Sequence, residues 1–185
     1  METAKAEIIS FVKTYTGDLL AYTISKVQQK EIAEDIVQDT FLSAYEGYKN
    51  FKGKSNVKTW LFSILKNKIA DHFRLKYKHN QMPSSDIFQK FFNKNERWKS
   101  EFRPQYWRDD EELPEDEEFK KIFNDCLDNL PEKWSSVVHL KFLGEYNSKE
   151  VCSKLDISKS NFWQIMHRAK LQLRNCIEMN WFKSK

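Results

Sequence analysis

The chain of 185 residues has few residues of the kinds that build tight turns, crosslinks and metal sites. It contains only four glycines and four prolines, which supply too little turn chemistry for an all-β fold. Its three cysteines, Cys126, Cys152 and Cys176, are odd in number and far apart, with no C-x-x-C pair and no histidine at ligand spacing. We therefore expect neither a disulfide framework nor a zinc site, and predict reduced thiols in a cytoplasmic protein.

Long apolar runs are also missing, and the N-terminus lacks the organisation of a signal peptide. The sequence predicts a soluble, cytoplasmic protein with no membrane insertion. The four histidines are isolated, no acid pair lies beside a metal-ligand histidine, and no phosphate-binding glycine loop is present. An enzyme such as a nuclease is disfavoured, and no catalytic residue, metal or cofactor is expected.

Charge is unevenly distributed along the chain. Residues 1–82 carry a net charge of +4, residues 83–125 carry −4 and residues 126–185 carry +4. The segment 109–118 has eight acids in ten residues. Two basic ends around an acidic middle indicate two nucleic-acid contacts and a connector that avoids the duplex.

Hydrophobic periodicity predicts an all-α fold with two modules. The N-terminal module, 1–78, is expected to hold four helices: two before residue 30 that break near Thr16 and Gly17, then 31–48 and 55–77 with Ser55 as N-cap. Residues 79–118 are predicted to be an acidic, aromatic linker that docks on another surface, with a short helix near 84–93. The C-terminal module is 119–185.

Residues 33–74 are the most informative stretch. Ala33, Ile36, Val37, Phe41, Ala44 and Tyr48 recur at helical spacing, so one helix buries that stripe and exposes an acidic N-terminal end. The segment 49–78 then carries nine Lys or Arg against one acid, Asp71, on a helix with an apolar side. A basic face on a packed helix is typical of proteins that bind a polyanion.

The C-terminal module has the pattern of a helix-turn-helix. Pro131 opens a helix that stops at Gly144, and Asn147 with Glu150 has the spacing of a capping box. Ser158 is predicted to cap the last helix. That helix is expected to bury one face, formed by Phe162, Ile165, Met166, Ala169 and Leu173.

These motifs together resemble the sigma-70 family of bacterial transcription initiation factors, in its small extracytoplasmic-function (ECF) group. The resemblance is carried by AEDIVQDTF at 33–41, the F-x-G-x-S loop at 51–55, TWL at 59–61, N-x-x-x-D-x-x-R at 67–74, and the C-terminal helix-turn-helix in the right order. It implies that 1–78 is sigma region 2 and 119–185 is sigma region 4.

In the family, the acidic helix docks on the largest subunits of core RNA polymerase, beta and beta-prime. The matching positions here are Asp35, Gln38 and Asp39. From the residues alone, acids at a helix N-terminus more often only compensate the helix dipole.

In the family, the loop and basic helix of region 2 bind the minus-ten promoter element as a single strand. The resemblance places these contacts at Phe51, Lys52, Lys54, Ser55, Asn56, Lys58, Trp60 and Asn67. Lysines that grip phosphates and aromatics that stack on unpaired bases are the groups that strand opening requires. The alternative is that Phe51 and Trp60 are core residues beside a solvated lysine face.

Region 4 recognises the minus-thirty-five element with the outer face of its last helix. The matching residues are Lys159, Ser160, Asn161, Trp163, Gln164, His167, Arg168 and Lys170. Two positions that are commonly basic in the family are Trp163 and Ile165 here, which weakens the expected grip on phosphate. Asn161 or Gln164 could recognise adenine, or could only solvate the helix.

The sequence therefore predicts an ECF sigma factor that binds core RNA polymerase and promoter DNA and nucleates strand opening. An anti-sigma factor and a DNA-targeting recruiter are further candidate partners. The acidic linker either mimics a transcript in the polymerase or is a solvated spacer. The alternative function is an autonomous helix-turn-helix regulator, which would not need the acidic and single-strand-binding surfaces of the first 80 residues.

Overall fold

The computed structural model describes residues 2–51, 53, 55–79, 89, 91–94, 97, 99–103, 116–144 and 146–182. All the secondary-structure elements in these ranges are helices, which confirms the all-α fold class. The α-helices are α1 (Glu2–Val27), α2 (Lys30–Gly47), α3 (Val57–His79), α4 (Glu117–Asp128), α5 (Glu132–Val138), α6 (Ser148–Leu155) and α7 (Lys159–Ile177). Short 3-10 helices cover Tyr48–Asn50 and Ser100–Phe102, and π-helical turns cover His139–Leu143 and Glu178–Phe182.

The first helix differs from the sequence prediction. The expected break near Thr16 and Gly17 is wrong, because α1 is continuous through both residues, so three α-helices and not four precede residue 80. The Thr16 hydroxyl donates to the Val12 carbonyl at 2.6 Å, a bond that a helix accommodates. A glycine within a helix costs about 1 kcal/mol relative to alanine, and burial of residues such as Leu19 outweighs that penalty.

Contacts divide the chain into two compact units. Unit 1 comprises Met1–Leu75 and His139–Tyr146, and its core lies where α2 packs on α1. Five of the six residues predicted for the buried stripe of α2 are buried, and Thr40 is buried in addition, with its hydroxyl donating to the Ile36 carbonyl at 2.8 Å. The sixth, Tyr48, lies in the 3-10 helix after α2 and is half-buried. Leu61 and Leu65 of α3 are fully buried in the same unit.

Unit 2 comprises Lys76–Val138 and Asn147–Lys185. α7 lies at its centre and packs against α4, α5 and α6. The face predicted for α7 is confirmed at Phe162, Ile165, Met166 and Ala169, which are buried, while Leu173 is half-buried and Leu171 is buried in addition.

The predicted helix boundaries of the helix-turn-helix are confirmed. The Asn147 side chain accepts from the backbone N–H of Lys149 and Glu150, and the Glu150 carboxylate accepts from the Asn147 N–H at 2.7 Å, which completes the capping box. The Ser158 hydroxyl oxygen accepts from the Asn161 N–H at 3.1 Å and caps α7. Asp156 makes the turn between α6 and α7 with a left-handed backbone, φ 56°.

Part of the segment 79–118 docks on unit 2. Phe91 is 1% exposed and packs with Phe92, Phe102 and Leu171 of α7. These contacts show where the described part of the segment docks. The helix expected near 84–93 falls mostly on residues outside the described ranges, as does most of the acidic run.

The expectation of reduced thiols for all three cysteines is wrong for two of them. Cys126 of α4 and Cys176 of α7 form a disulfide with Cα atoms 5.8 Å apart, and Cys152 is free. The two cysteines are 50 residues apart in sequence, so only the packing of α4 on α7 reveals the pair.

Glycine substitutions test the helix boundaries. A Cβ at Gly144 would lie 2.8 Å from the Leu140 carbonyl oxygen and 2.9 Å from a ring carbon of Tyr146, whereas a Cβ at Gly17 meets no heavy atom within 4 Å. We expect Gly144→Ala to lower the free energy of unfolding by about 1 to 3 kcal/mol. Gly17→Ala should raise it by about 1 kcal/mol. Urea unfolding of both variants checks this, and equal effects of the same sign would contradict it.

Candidate functional site

The acidic face of α2 is exposed to solvent. Burial of the α2 stripe against α1 leaves Asp35, Gln38 and Asp39 on the opposite side of the helix, and all three are exposed. Neither aspartate forms an ion pair with another side chain in the described ranges. The structure therefore brings together the three residues predicted for polymerase docking, on a surface open to a partner.

Leu42 was missed by the sequence prediction. It follows Gln38 and Asp39 by one helical turn, so it continues the same face, and it is 58% exposed. The adjacent Phe41 is buried. The one signal in the sequence was that Leu42 is apolar but does not fall at the helical spacing of the buried stripe. An exposed leucine on a charged helix face adds apolar area that a partner surface could cover.

The loop before α3 is organised by an aromatic stack. The rings of Phe51 and Trp60 are 4.5 Å apart and inclined by 24°, and Tyr48 lies 6.4 Å from Trp60 at a steeper angle. Both Phe51 and Trp60 are half-buried. Trp60 is thus neither a fully buried core residue nor a free surface ring, because Phe51 covers one of its faces.

Asn56, not Ser55, is the N-cap of α3. Its side-chain oxygen accepts a hydrogen bond from the Thr59 N–H at 2.7 Å, and its backbone carbonyl accepts from the Trp60 N–H at 3.1 Å. The predicted cap at Ser55 is therefore wrong by one residue. Ser55 is exposed in the loop, and the amide nitrogen of Asn56 is not used by the cap.

The remaining residues predicted for minus-ten contacts are spread along α3. Lys58 is paired with Asp18 of α1 at 2.5 Å, and both side chains are about half exposed. Asn67 is exposed on the same helical face as Trp60, two turns further on. Lys52 and Lys54 lie outside the described residues.

A shallow groove on the same unit adds residues that the sequence prediction missed. It has a cavity volume of about 490 Å³ and is lined by Tyr22, Lys58, Thr59, Phe62, Ser63 and Lys66. Tyr22 and Phe62 meet edge to face at 5.3 Å, and the Lys66 ammonium lies 6.0 Å from the Tyr22 ring centre. Only the packing of α1 on α3 brings Tyr22 to these residues.

The outer face of α7 carries most of the predicted minus-thirty-five contacts. Lys159, Ser160, Trp163, Gln164, His167 and Lys170 are exposed, and Arg168 is half-buried. Trp163 is 53% exposed, so it lies on this surface, whereas Ile165 is fully buried and fills the core. Position 165 therefore belongs to the packing of α7 and offers nothing to a phosphate.

Asn161 is half-buried, and its side chain is hydrogen-bonded within unit 2. Its side-chain nitrogen donates to the Tyr77 hydroxyl at 3.4 Å, and the Lys133 ammonium lies 4.6 Å from the centre of the Tyr77 ring. Burial raises the pKa of the Tyr77 hydroxyl, and the hydrogen bond from Asn161 lowers it by a smaller amount. Gln164, which is exposed, is therefore the better placed of the two candidate adenine-recognising amides.

Comparison with known proteins matches both halves of the chain. The family model described as Sigma-70 region 2 matches residues 11–79, and the model described as Sigma-70, region 4 matches residues 120–173. A probable RNA polymerase sigma factor of Haemophilus influenzae is 36% identical over 86% of this chain and 84% of its own length. The chain belongs to the ECF group of the sigma-70 family.

Two further matches are also sigma factors. The ECF RNA polymerase sigma factor SigM of Bacillus subtilis is 27% identical over 86% of this chain and 88% of its own length. A solved structure of the sigma factor RpoE with the anti-sigma factor NepR from Bartonella quintana covers 97% of this chain and 99% of its own, at 19% identity and a TM-score of 0.45. A likeness that loose carries no argument about partners.

The sigma factor binds core RNA polymerase and promoter DNA, and it nucleates strand opening at the start of transcription. No helix in the described ranges is long and apolar enough to cross a membrane. Among the same residues, no group of three or more His, Cys, Asp or Glu is arranged to hold a metal ion.

The Asn56 cap gives a stability prediction for this sigma factor. Asn56→Ala removes the acceptor for the Thr59 N–H, so we expect a loss of about 1 kcal/mol in the free energy of unfolding. Asn56→Ser retains a capping oxygen and should stay within a few tenths of a kcal/mol of the parent. Ser55→Ala is the matched control and should change nothing. Urea unfolding in which Ser55→Ala is the destabilised variant would move the cap back to Ser55.

Proposed function

We propose that this ECF sigma factor divides initiation among three surfaces. Region 2, assigned to 1–78, docks on core polymerase through α2 and holds the opened minus-ten strand with the loop before α3. Region 4, assigned to 119–185, contacts the minus-thirty-five element with α7. The segment 79–118 connects them. The observation that carries the proposal is the separation of exposed acids on α2 from the aromatic stack and lysines of α3.

The core-polymerase contact is proposed at Asp35, Gln38, Asp39 and Leu42. Asp35 and Asp39 lie in the second and third turns of α2, beyond the first turn where the helix dipole stabilises acids, so they contribute little to the fold. They are free to meet a basic partner surface, and the leucine adds apolar area to the same contact. The beta and beta-prime subunits are the partner that family membership makes appropriate.

The minus-ten contact is proposed at Phe51, Lys52, Lys54, Ser55, Asn56, Lys58, Trp60 and Asn67. An unpaired base gains about 1 to 3 kcal/mol by stacking on an aromatic ring. Because Phe51 already covers one face of Trp60, the base would stack on the outer face of this pair or take the place of Phe51. Lys58 can leave Asp18 for a phosphate at small cost, since an exposed ion pair is worth about 0 to 1 kcal/mol.

The minus-thirty-five contact is proposed to be weak. Lys159, Ser160, Asn161, Trp163, Gln164, His167, Arg168 and Lys170 remain the proposed residues, but Arg168 is half-buried and Asn161 is bonded to Tyr77. Few cations then face phosphate, so this surface supplies little affinity by counterion release. Promoter choice would depend on polymerase tethering, or on an anti-sigma factor or DNA-targeting recruiter.

The proposal includes a non-catalytic role in the cytoplasm. A sigma factor acts by binding polymerase and promoter DNA, and the surfaces above need no catalytic residue, metal or cofactor. It works where the bacterial polymerase transcribes, which is the cytoplasm.

Charge reversal on α2 tests the polymerase contact. We expect Asp35→Lys combined with Asp39→Lys to weaken binding to core polymerase at least tenfold, because two acids facing a basic surface become repulsive. The matched control is Asp125→Lys with Asp128→Lys, which makes the same charge change on exposed residues of α4. Fluorescence anisotropy of labelled protein titrated with core enzyme measures both, and parent-like affinity of the α2 variant would remove the assignment.

Substitution of Trp60 tests the minus-ten contact. Trp60→Ala should reduce the permanganate reactivity of promoter thymines about tenfold or more, since the stacking surface is lost. Trp60→Phe keeps a ring and should retain most of the reactivity. A thermal unfolding curve accompanies each variant because Trp60 also packs on Tyr48. A lowered melting temperature with unchanged thymine reactivity would assign Trp60 a structural role only.

A further inference from the structure

The Cys126–Cys176 pair joins the last turns of two helices. Cys126 lies near the end of α4 and is 2% exposed, while Cys176 lies near the end of α7 and is half-buried. Their Cα atoms are 5.8 Å apart, a separation that a disulfide spans without backbone movement. The Asn180 side-chain nitrogen lies 3.5 Å from the Cys176 sulfur as a hydrogen-bond donor.

Besides this pair, α4 packs in unit 2 through its last turn and a few partly exposed apolar side chains. Cys126 forms a small cluster with Ile177 and Trp181, against which Phe119 and Ile122 of α4 pack while remaining partly exposed. Cys126 and Leu127, at the end of the helix, are its buried residues. The first nine residues of α4 thus depend on a few partly exposed contacts and on the crosslink at Cys126 that follows them.

The redox state of this pair depends on where the protein works. In the bacterial cytoplasm, glutathione and thioredoxin-type reductants keep ordinary thiols reduced. A pair that is positioned for a disulfide there forms the bond only when the compartment becomes oxidising. The expectation that the two thiols are normally reduced rests on the cytoplasmic role proposed above.

We propose that Cys126 and Cys176 are a reversible oxidation site that locks α4 onto the end of α7. The more accessible Cys176 is the attacking sulfur, and the Asn180 amide stabilises its thiolate. The thiolate attacks a low-molecular-weight disulfide, forms a mixed disulfide and releases one thiol. The Cys126 sulfur then displaces the second thiol. The two protein thiols lose two electrons and two protons in total, and the small disulfide gains them as two thiols.

Oxidation acts on α4 and leaves the recognition surface of α7 uncovered. Cys176 is 17 residues beyond Lys159, which places it about 25 Å away along the helix. Closing a long loop removes freedom from the opened state of α4, so the lock suppresses local opening of that helix. Lys120 and Lys121 are exposed in the middle of α4 and provide trypsin sites that report the opening.

Limited proteolysis of the full chain tests the site without polymerase or DNA, so a failure of the promoter proposal does not affect it. The protein is equilibrated with glutathione disulfide or with reduced glutathione, then digested briefly with trypsin and analysed by mass spectrometry. We expect the oxidised protein to lose 2 Da through the 126–176 bond. Its cleavage after Lys120 and Lys121 should be slower by about tenfold or more. Reduced glutathione should restore both the mass and the rapid cleavage.

Two variants serve as controls. Cys152→Ser leaves the pair intact and should behave as the parent in both buffers, since Cys152 is free. Cys176→Ser should show rapid cleavage in both buffers. The proposal is overturned if glutathione disulfide does not join the pair, if reduced glutathione does not release it, or if cleavage in α4 is the same in the two states.

Discussion

Six residues of α2, from Ala33 to Ala44, are buried where this helix packs on α1, and that packing determines the rest of region 2. A helix that commits one face to a core must present the opposite face to solvent. The exposed face here carries Asp35, Gln38, Asp39 and Leu42. α2 ends at Gly47, and Tyr48 and Phe51, which follow it, contact Trp60. The proposed docking surface and the proposed strand-binding loop therefore share one core.

Local signals in the sequence were sufficient wherever a single turn decided the structure. The capping box at Asn147, the cap at Ser158 and the stop at Gly144 were all predictable, because each depends on residues within five positions of one another. The buried faces of α2 and α7 were predictable for a related reason. Helical spacing fixes which residues share a side, and apolar residues identify the side that is covered.

The features that sequence did not predict depend on tertiary packing. The glycine at position 17 has a local penalty of about 1 kcal/mol, but burial along α1 exceeds it. The Cys126–Cys176 bond joins positions 50 residues apart and needs α4 and α7 to be placed first. Tyr22 reaches the groove on α3 only through the packing of α1. In the proposed site, exposure of Leu42 and the stacking of Phe51 on Trp60 likewise required the fold.

Region 4 shows how one core requirement limits DNA contact. Ile165 is fully buried, so α7 gains packing at a position where a basic residue is common in the family. Trp163, at the other changed position, is exposed on the outer face and can offer stacking area but no charge. Specific initiation would then depend on tethering through polymerase. Under this proposal the two surfaces of region 2 would compensate for weak recognition by α7.

The most direct test of this account is permanganate footprinting of genomic promoter fragments with core polymerase alone, with the purified chain alone and with both. The account predicts reactive thymines near the start site only when both proteins are present. It also predicts little protection of duplex DNA by the chain alone. Strong, sequence-specific protection by the chain alone, with no thymine reactivity when polymerase is added, would contradict the account and indicate an autonomous helix-turn-helix regulator.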